Sequence, residues 1–386
     1  MKLQDIFPPN AYSEAEVDKI IYARDASVFE GQCKAVVWPT TKQQVQELVM
    51  YCRRTSQKLT LRGAATGTFG GAVPADAIVS DMSKMNKILD IGSDWVHVQA
   101  GVVLSDLNSF LRKKNKYFPV QPLEYPVCTI GGMIATNTSG LSYHYGRMEN
   151  WVQELEVVDG TGRTYTTSTA TMKNFIGLEG STGIIVSAKL KLLPQPPAKT
   201  SSIVAFNTMS AMMGRVEQIE KNPHILSIEY FDERTSALLD LGQALHIIVE
   251  YDDESGVIKV PEEVKKIDEL KEKVRHLLIR NHYSQKEDPK IPMENRGKFL
   301  HWLNKLEVPC FGHLKHGVFY PHFKEFSKQP EEIYDIVEKL SGEVIGDCGV
   351  GIKRKKFLSK AKTEKFLILK NEYDPQRILN RGVLVD

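Results

Sequence analysis

The chain reads as an α+β protein of two lobes. Three observations predict this: its length, two different sequence periods in alternation, and a proline-rich break near the middle. At 386 residues it exceeds the roughly 250–300 over which a single core keeps growing. Helical spacing (Val45, Leu48, Val49, Cys52) alternates with strand spacing (Trp95 to Ala100). Leu193-Pro194-Gln195-Pro196-Pro197 can continue neither a helix nor a ladder, so a second domain is expected from about Ala198.

In order along the first lobe, Ala35 to Trp38 predicts a strand. Pro39-Thr40-Thr41 turns the chain, and Thr40 or Thr41 can cap the helix that follows. The strand Lys58 to Leu61 runs into a loop of small residues, Arg62 to Ala72. Ala77 to Asp81 and Trp95 to Ala100 are further strands, with a helix from Ser105 through Leu111. A second small-residue loop spans Thr129 to Gly140. A hairpin turns at Asp159-Gly160-Thr161-Gly162, and a third loop spans Gly177 to Ile184. In the second lobe, strands are expected at Ser227 to Tyr230 and Leu245 to Glu250, with helices from Pro261 to about Arg280 and around Phe299 to Leu306.

Composition narrows the function. Lys+Arg 50 against Asp+Glu 48 leaves a net charge of +2, too weak a field to suggest nucleic acid, and Lys353-Arg354-Lys355-Lys356 reads as a solvated face. Five dispersed cysteines, with no CxxC pair, suit a reducing cytoplasm and provide no iron–sulfur or zinc framework. Residues 1–19 lack the apolar core of a signal peptide, and no run approaches the ~18–20 apolar residues of a membrane span. A cytoplasmic protein is expected, with peripheral attachment to a membrane left open.

Three glycine-rich loops in one lobe point to close backbone approach to a ligand, because glycine lets amides reach an anion without a Cβ in the way. A pyrophosphate suits such loops. None is a GxGxxG opening a strand–helix unit, and none ends in GK[ST].

The order of these segments resembles that of the FAD-linked oxidases of the vanillyl-alcohol-oxidase type, in the branch of the glycolate oxidases and the D-lactate and D-2-hydroxy-acid dehydrogenases. Arg24-Asp25-Ala26-Ser27 followed by Ala35 to Thr41 is similar to that family's "DAS…PxAVVxPxTxEEV". Arg62 to Gly67 resembles "RGxGT", Asp81 to Asn86 "DLSRMN", and Gln99 to Val102 "VxPGV". Thr129 to Gly140 resembles "TIGGMxATNAGG", Tyr145-Gly146 the "YG" after it, and Gly177 to Ile184 "GSEGTLGI". Farther on, Asp288 to Pro292 resembles "DVAVP", Phe311 to Gly317 "FGHxGDGN", and Tyr373 to Gly382 "FDPxxILNPG". The stretch from about Gly256 to Asp288 is shorter than the family's and lacks its tryptophan-plus-arginine segment.

The resemblance implies a PCMH-type FAD-binding domain over 1–197, an antiparallel-sheet-and-helix substrate domain over 198–345, and a tail, 346–386, returning to the flavin lobe. It places FAD against Arg62, Gly63, Ala64, Ala65, Thr66, Gly67, Gly70, Gly71, Thr129, Gly132, Ala135, Thr136, Tyr145, Gly180, Gly183, Ile184, Val186 and Asn380. Members that bind flavin covalently carry histidine at the position of Thr66, so non-covalent FAD is implied. Cys128, beside the second loop, reads as a buried small hydrophobe.

At the catalytic end the match changes. Metal-using members take two histidines from "GHxGDGNxH" and a glutamate from "EHGIG"; here those positions are His313, Tyr320 and Asp347, and no metal is expected. The family's proton-abstracting histidine is replaced by Cys348. Candidate bases are therefore His313, His316, Tyr320 and Cys348, and Arg296 and Lys298 are candidates to clamp a carboxylate. The implied reaction is oxidation of a small 2-hydroxy acid such as glycolate or D-lactate. Electrons would pass to an acceptor protein, a quinone or oxygen, with an iron–sulfur partner subunit also compatible. The alternative is an accessory FAD-binding subunit of a glycolate-oxidase-like complex.

Overall fold

The computed structural model describes residues 2–194, 199–252, 255, 257, 260–325 and 327–385. Pro196, Pro197 and Ala198, where sequence places the boundary, lie outside the described residues. The chain forms two compact units, one of residues 1–140, 146–195 and 347–386, the other of 141–145 and 196–346.

The first unit holds two sheets. In one, β1 (Tyr12–Ser13), β2 (Cys33–Val37), β3 (Lys58–Arg62) and β4 (Ala77–Asp81) lie in the order β1-β2-β4-β3, with β4 parallel to both neighbours. Helix Lys42–Thr55 makes the crossover from β2 to β3. Thr41 caps it by accepting from the Gln44 amide, and Val45, Leu48, Val49 and Cys52 turn one buried stripe onto the sheet. The other sheet is antiparallel. Its strands β5 (Ile88–Ile91), β6 (Trp95–Gln99), β8 (Val152–Asp159), β9 (Thr164–Thr166) and β10 (Gly183–Lys191) lie in the order β5-β6-β10-β8-β9, beside a small ribbon of β7 (Lys116–Tyr117) and β11 (Leu193–Pro194).

The C-terminal tail is built into this unit. Leu59 donates to Ile378 O and accepts from Asn380 N, both at 2.8 Å, so the tail runs beside β3. Its register is held by a buried ion pair in which Lys370 Nζ donates to Asp374, 2.8 Å away, and to the carbonyls of Ser181 and Leu379.

The second unit is one antiparallel sheet of β12 (Thr200–Phe206), β13 (Ile225–Phe231), β14 (Leu245–Tyr251), β15 (Gln285–Lys286), β16 (Cys310–His313) and β17 (Val318–Phe323), in the order β12-β14-β13-β16-β17-β15. Alternation decides its two faces. Ile228, Tyr230, Ile247, Val249, Cys310, Phe319 and Phe323 face a core completed by helices Met209–Ile219, Arg296–Asn304 and Pro330–Lys339. The intervening residues, among them Ser227, Glu229, Glu250, His313, Tyr320 and His322, make a buried polar face. Among the described residues no helix is long and apolar enough to cross a membrane.

Candidate flavin cradle and catalytic face

The first loop leaves β3 with Arg62 already engaged. Its guanidinium donates to Arg24 O at 2.6 Å and lies 4.9 Å over the Tyr22 ring. Beyond it the chain departs from regular structure, and Ala65 takes a left-handed φ of 53°. The amides of Ala64, Ala65, Thr66, Gly67 and Thr68 donate to no group among the described residues, and the buried Thr68 hydroxyl has no partner. Such a run of unoccupied donors is what a pyrophosphate requires. A side chain at Gly67 would meet nothing within 4 Å, so there is open space beside it. The same lobe has a pocket of about 220 Å³ lined by Gly63, Ala64, Ser83, Asn86, Gly101 and Thr129. That volume suits part of a dinucleotide, and these residues fit FAD.

The second segment is a correction to the sequence reading. Thr129 to Gly140 is not all loop, because Ile130–Thr136 is helical and Thr129 caps it through the Gly132 amide. The first-turn amides are engaged: Ile130 N donates to Val102 O, Gly131 N to Ala100 O, and Gly132 N to Thr129 Oγ1. Thr129 and Gly132 therefore hold the first loop in place, since a Cβ on Gly63 would lie 2.4 Å from Thr129 Oγ1. Ala135 O accepts from Glu179 N, and the Thr136 hydroxyl bonds back to Gly132 O, so both fix the helix and third loop.

Other expected flavin positions pack against protein. Ile184 and Val186 lie on one face of β10 and are buried in the hydrophobic core beneath helix Lys42–Thr55. Gly180, at φ 72°, leaves no room for a Cβ against Leu61, and Gly183 none against Val157. Gly70, at φ 83°, abuts Phe29 and Ile352, and Gly71 lies against Glu179. Asn380 is committed to backbone: its Oδ1 accepts from Leu61 N at 2.7 Å and its Nδ2 donates to Glu179 O at 2.5 Å. Asn380→Ala should cost about 1–3 kcal/mol in urea unfolding by leaving a buried amide without an acceptor. Cys128 is buried, and burial pushes its thiol up to about 12.

Tyr145 belongs to the other unit, where its ring lies 3.9 Å from that of His144. There the polar face gathers the catalytic candidates. His313 ends β16 opposite Glu229 of β13, and its ring meets Tyr143 at 5.3 Å and Tyr320 at 5.7 Å. His316 packs on Tyr143 at 4.6 Å. His144 Nδ1, His313 Nδ1 and His316 Nε2 are buried without hydrogen-bond partners among the described residues. Burial lowers His313 to about 3, with Lys271 and His316 adding to it, and lowers His144 and His316 to about 4. All three rings are neutral at physiological pH. Within this unit, no three histidine, cysteine or carboxylate ligand atoms lie within 4.8 Å of one another among the described residues, and Tyr320 stands where an imidazole was required.

Beside the histidines lies a network that sequence reading missed. Lys271, 4% exposed, bridges Glu229 and Glu250, and Lys199 joins Glu250 to Asp268. Burial would lift Glu250, but Lys271 and Lys199 hold it below its ordinary range; burial leaves Glu229 raised to about 7. The signal was present as polar residues on one face of otherwise apolar strands, Ser227 and Glu229 in one and His246 and Glu250, two pleats apart, in the next.

Two substrate-clamp candidates do not fit that role. Arg296, 3% exposed, gives its guanidinium to Met293 O, Leu314 O and Glu220, which anchors helix Arg296–Asn304. Lys298 is exposed and bonds Asn295. In the first unit, the half-exposed Cys348 thiol lies 3.4 Å from Asp347 Oδ1, and the Ser139 hydroxyl donates to the other oxygen. Arg354 is not part of a solvated basic face, being fully buried over Phe69.

The buried histidines also predict acid sensitivity. His322 donates to Tyr320 O at 2.8 Å and stacks on Phe311; burial takes it from 6.5 to about 3. Its stabilising contribution is complete above pH 6.5 and is lost as pH falls toward 3, because the unfolded chain binds the proton first. At pH 5 the loss should be about 2 kcal/mol. Glu229 and Asp232 are raised and act in the opposite direction. The measurement is therefore a difference: the stability drop from pH 7.5 to 5 should shrink in His322→Phe.

Comparison with known proteins shows FAD as the cofactor. Residues 33–168 match the family model for the FAD binding domain, and 264–384 that for the C-terminal domain of FAD linked oxidases. A D-lactate dehydrogenase of Archaeoglobus fulgidus is 25% identical, with 100% of this chain and 98% of that protein covered. The glycolate oxidase protein GlcD of Bacillus subtilis is 22% identical over 99% and 95%, and D-2-hydroxyglutarate dehydrogenase of Stutzerimonas stutzeri 24% over 90% and 90%. An alkyldihydroxyacetonephosphate synthase structure superposes with a TM-score of 0.72 at 17% identity, covering 98% of this chain and 83% of that one, which shows a shared fold.

Proposed function

We propose that this chain, an FAD-linked oxidoreductase of the branch that includes D-lactate dehydrogenase, glycolate oxidase and D-2-hydroxyglutarate dehydrogenase, oxidises a small 2-hydroxy acid to the 2-oxo acid. FAD, when bound, supplies the hydride acceptor. The amides of Ala64 to Thr68 would hold its pyrophosphate without a covalent link, since Thr66 offers no imidazole.

The substrate side rests on one observation: a neutral, buried His313 whose Nδ1 has no partner, set among Tyr143, His316 and Tyr320. A neutral imidazole accepts the hydroxyl proton as the carbon–hydrogen bond breaks. Its low basicity is offset by the substrate itself, because an incoming carboxylate favours the charged ring. His144 and His316 offer two more ring nitrogens to the carboxylate. Electrons then leave to a protein, a quinone or oxygen.

Anaerobic titration of the flavin-loaded protein with glycolate, the two lactates and 2-hydroxyglutarate tests this reading. Bleaching of the oxidised-flavin band by at least one acid is expected. A stable oxidised spectrum with all of them would favour an accessory role.

A further inference from the structure

The vacant amides of the first loop and the Cys348 thiol lie in the same unit, and a short series of contacts joins them. Phe69 follows the amide run, and its carbonyl accepts from Ile352 N at 2.9 Å and Lys353 N at 3.2 Å. Gly351, at φ 57°, approaches so closely that a Cβ would lie 2.0 Å from that carbonyl. Arg354, with no exposed surface, lays its guanidinium 3.5 Å over the Phe69 ring and donates to Gly349 O at 3.3 Å.

Glu179 closes the circuit from the third loop. Its carboxylate accepts from Val350 N at 2.5 Å and Gly351 N at 2.9 Å. A Cβ on Gly71 would lie 3.2 Å from one of its oxygens, and a Cβ on Gly349 3.0 Å from the other. Glu179 also holds a left-handed φ of 48°, a conformation that costs a non-glycine residue free energy. Two buried charges and a strained backbone at one junction are costly for packing alone, since an apolar pair would serve.

We propose that Glu179 is a positioning residue that couples the amide loop at 64–71 to the segment Cys348 to Gly351, so that a pyrophosphate on the loop lowers the reactivity of the Cys348 thiol. An anion on the Ala64 to Thr68 amides fixes Phe69 to Gly71, and the bonds of Phe69 O and Glu179 carry that order to residues 349–352. Linkage gives the converse its sign: a modification of Cys348 that the ordered segment disfavours also weakens pyrophosphate binding, although a labelling rate and an affinity need not change by the same factor. The inference rests on the flavin-loop assignment and not on the identity of the substrate.

ADP is the deciding probe, because it carries the pyrophosphate but no isoalloxazine that could shield the thiol directly. Iodoacetamide labelling of the flavin-free full chain is followed by peptide mass at Cys348, with half-buried Cys33 as internal control. ADP is expected to slow labelling of Cys348 about fivefold, the lower end of common coupling between sites, with Cys33 unaffected. In Glu179→Gln, which keeps the shape but loses one strong acceptor, the effect should fall below about twofold. If that variant fails to fold, the converse measurement needs no variant: Cys348-labelled protein should bind ADP more weakly than unlabelled protein, and equal affinity would overturn the coupling. Slowing by FAD but not by bound ADP would mean simple shielding and overturn the coupling, as would equal slowing by ADP in Glu179→Gln. Failure of ADP to bind at all would overturn the loop assignment together with the coupling.

Discussion

His313→Asn is expected to slow reduction of the bound flavin by substrate ~10²–10⁴-fold, the usual contribution of a positioned general base. Flavin affinity should not change, because the amides assigned to FAD lie in the other compact unit. His313 is singled out by its surroundings. It is 3% exposed, its Nδ1 has no partner among the described residues, and burial, with Lys271 and His316, disfavours its charged form. Tyr320 lies against it at 5.7 Å and can orient the ring. Stopped-flow bleaching under anaerobic conditions, over a range of substrate concentration, separates the chemical step from binding. An unchanged limiting rate would move the base to another group, with Cys348 the next to test.

Lys271→Met should destabilise the second unit by ~3–5 kcal/mol, because it leaves Glu229 and Glu250 buried beside each other without their shared cation. Most of that loss is the cost of leaving Glu229 without its cation, since Glu250 keeps Lys199 and the Ser227 hydroxyl, and not the value of the lost pair. Lys271→Met combined with Glu229→Gln and Glu250→Gln should therefore recover stability, though the polar face is altered. Urea unfolding followed by a probe in the second unit measures both. Full loss in the triple variant would show that the network contributes attraction beyond the removal of a penalty.

Much of the architecture was legible because local periods agree with the tertiary environment. The stripe Val45, Leu48, Val49, Cys52 predicted helix Lys42–Thr55, and Pro261 at the first position of helix Pro261–Arg280 marked its start. The hairpin at Asp159 to Gly162 was equally plain, since the Asp159 carboxylate accepts from the amides of Thr161 and Arg163. The helix Ile130–Thr136 was hidden by its two glycines, which lower helix propensity but are required where Gly131 would meet Ala100.

The site was legible in part for a related reason. A glycine pattern records where a Cβ is forbidden, not whether a ligand or another loop forbids it. Gly63, Gly180 and Gly183 are excluded by protein, whereas Gly67 faces open space. Arg296 presents the same ambiguity with charge: sequence offers a guanidinium, and the fold gives it Glu220 and two carbonyls. The substitutions at Tyr320, Asp347 and Cys348 were visible from the start. What the fold adds is the set of three histidine nitrogens without partners among the described residues, one of them from His144, which no motif marked.

The central claim is tested most directly by mixing the flavin-loaded protein anaerobically with a 2-hydroxy acid that bleaches it, carrying hydrogen or deuterium at the hydroxyl-bearing carbon. A severalfold slower bleaching of the deuterated acid, lost flavin reduction in His313→Asn, and recovery of the 2-oxo acid are the predicted results. Identical rates for the two isotopologues with no 2-oxo acid formed, or an oxidised flavin that no 2-hydroxy acid reduces, would contradict it.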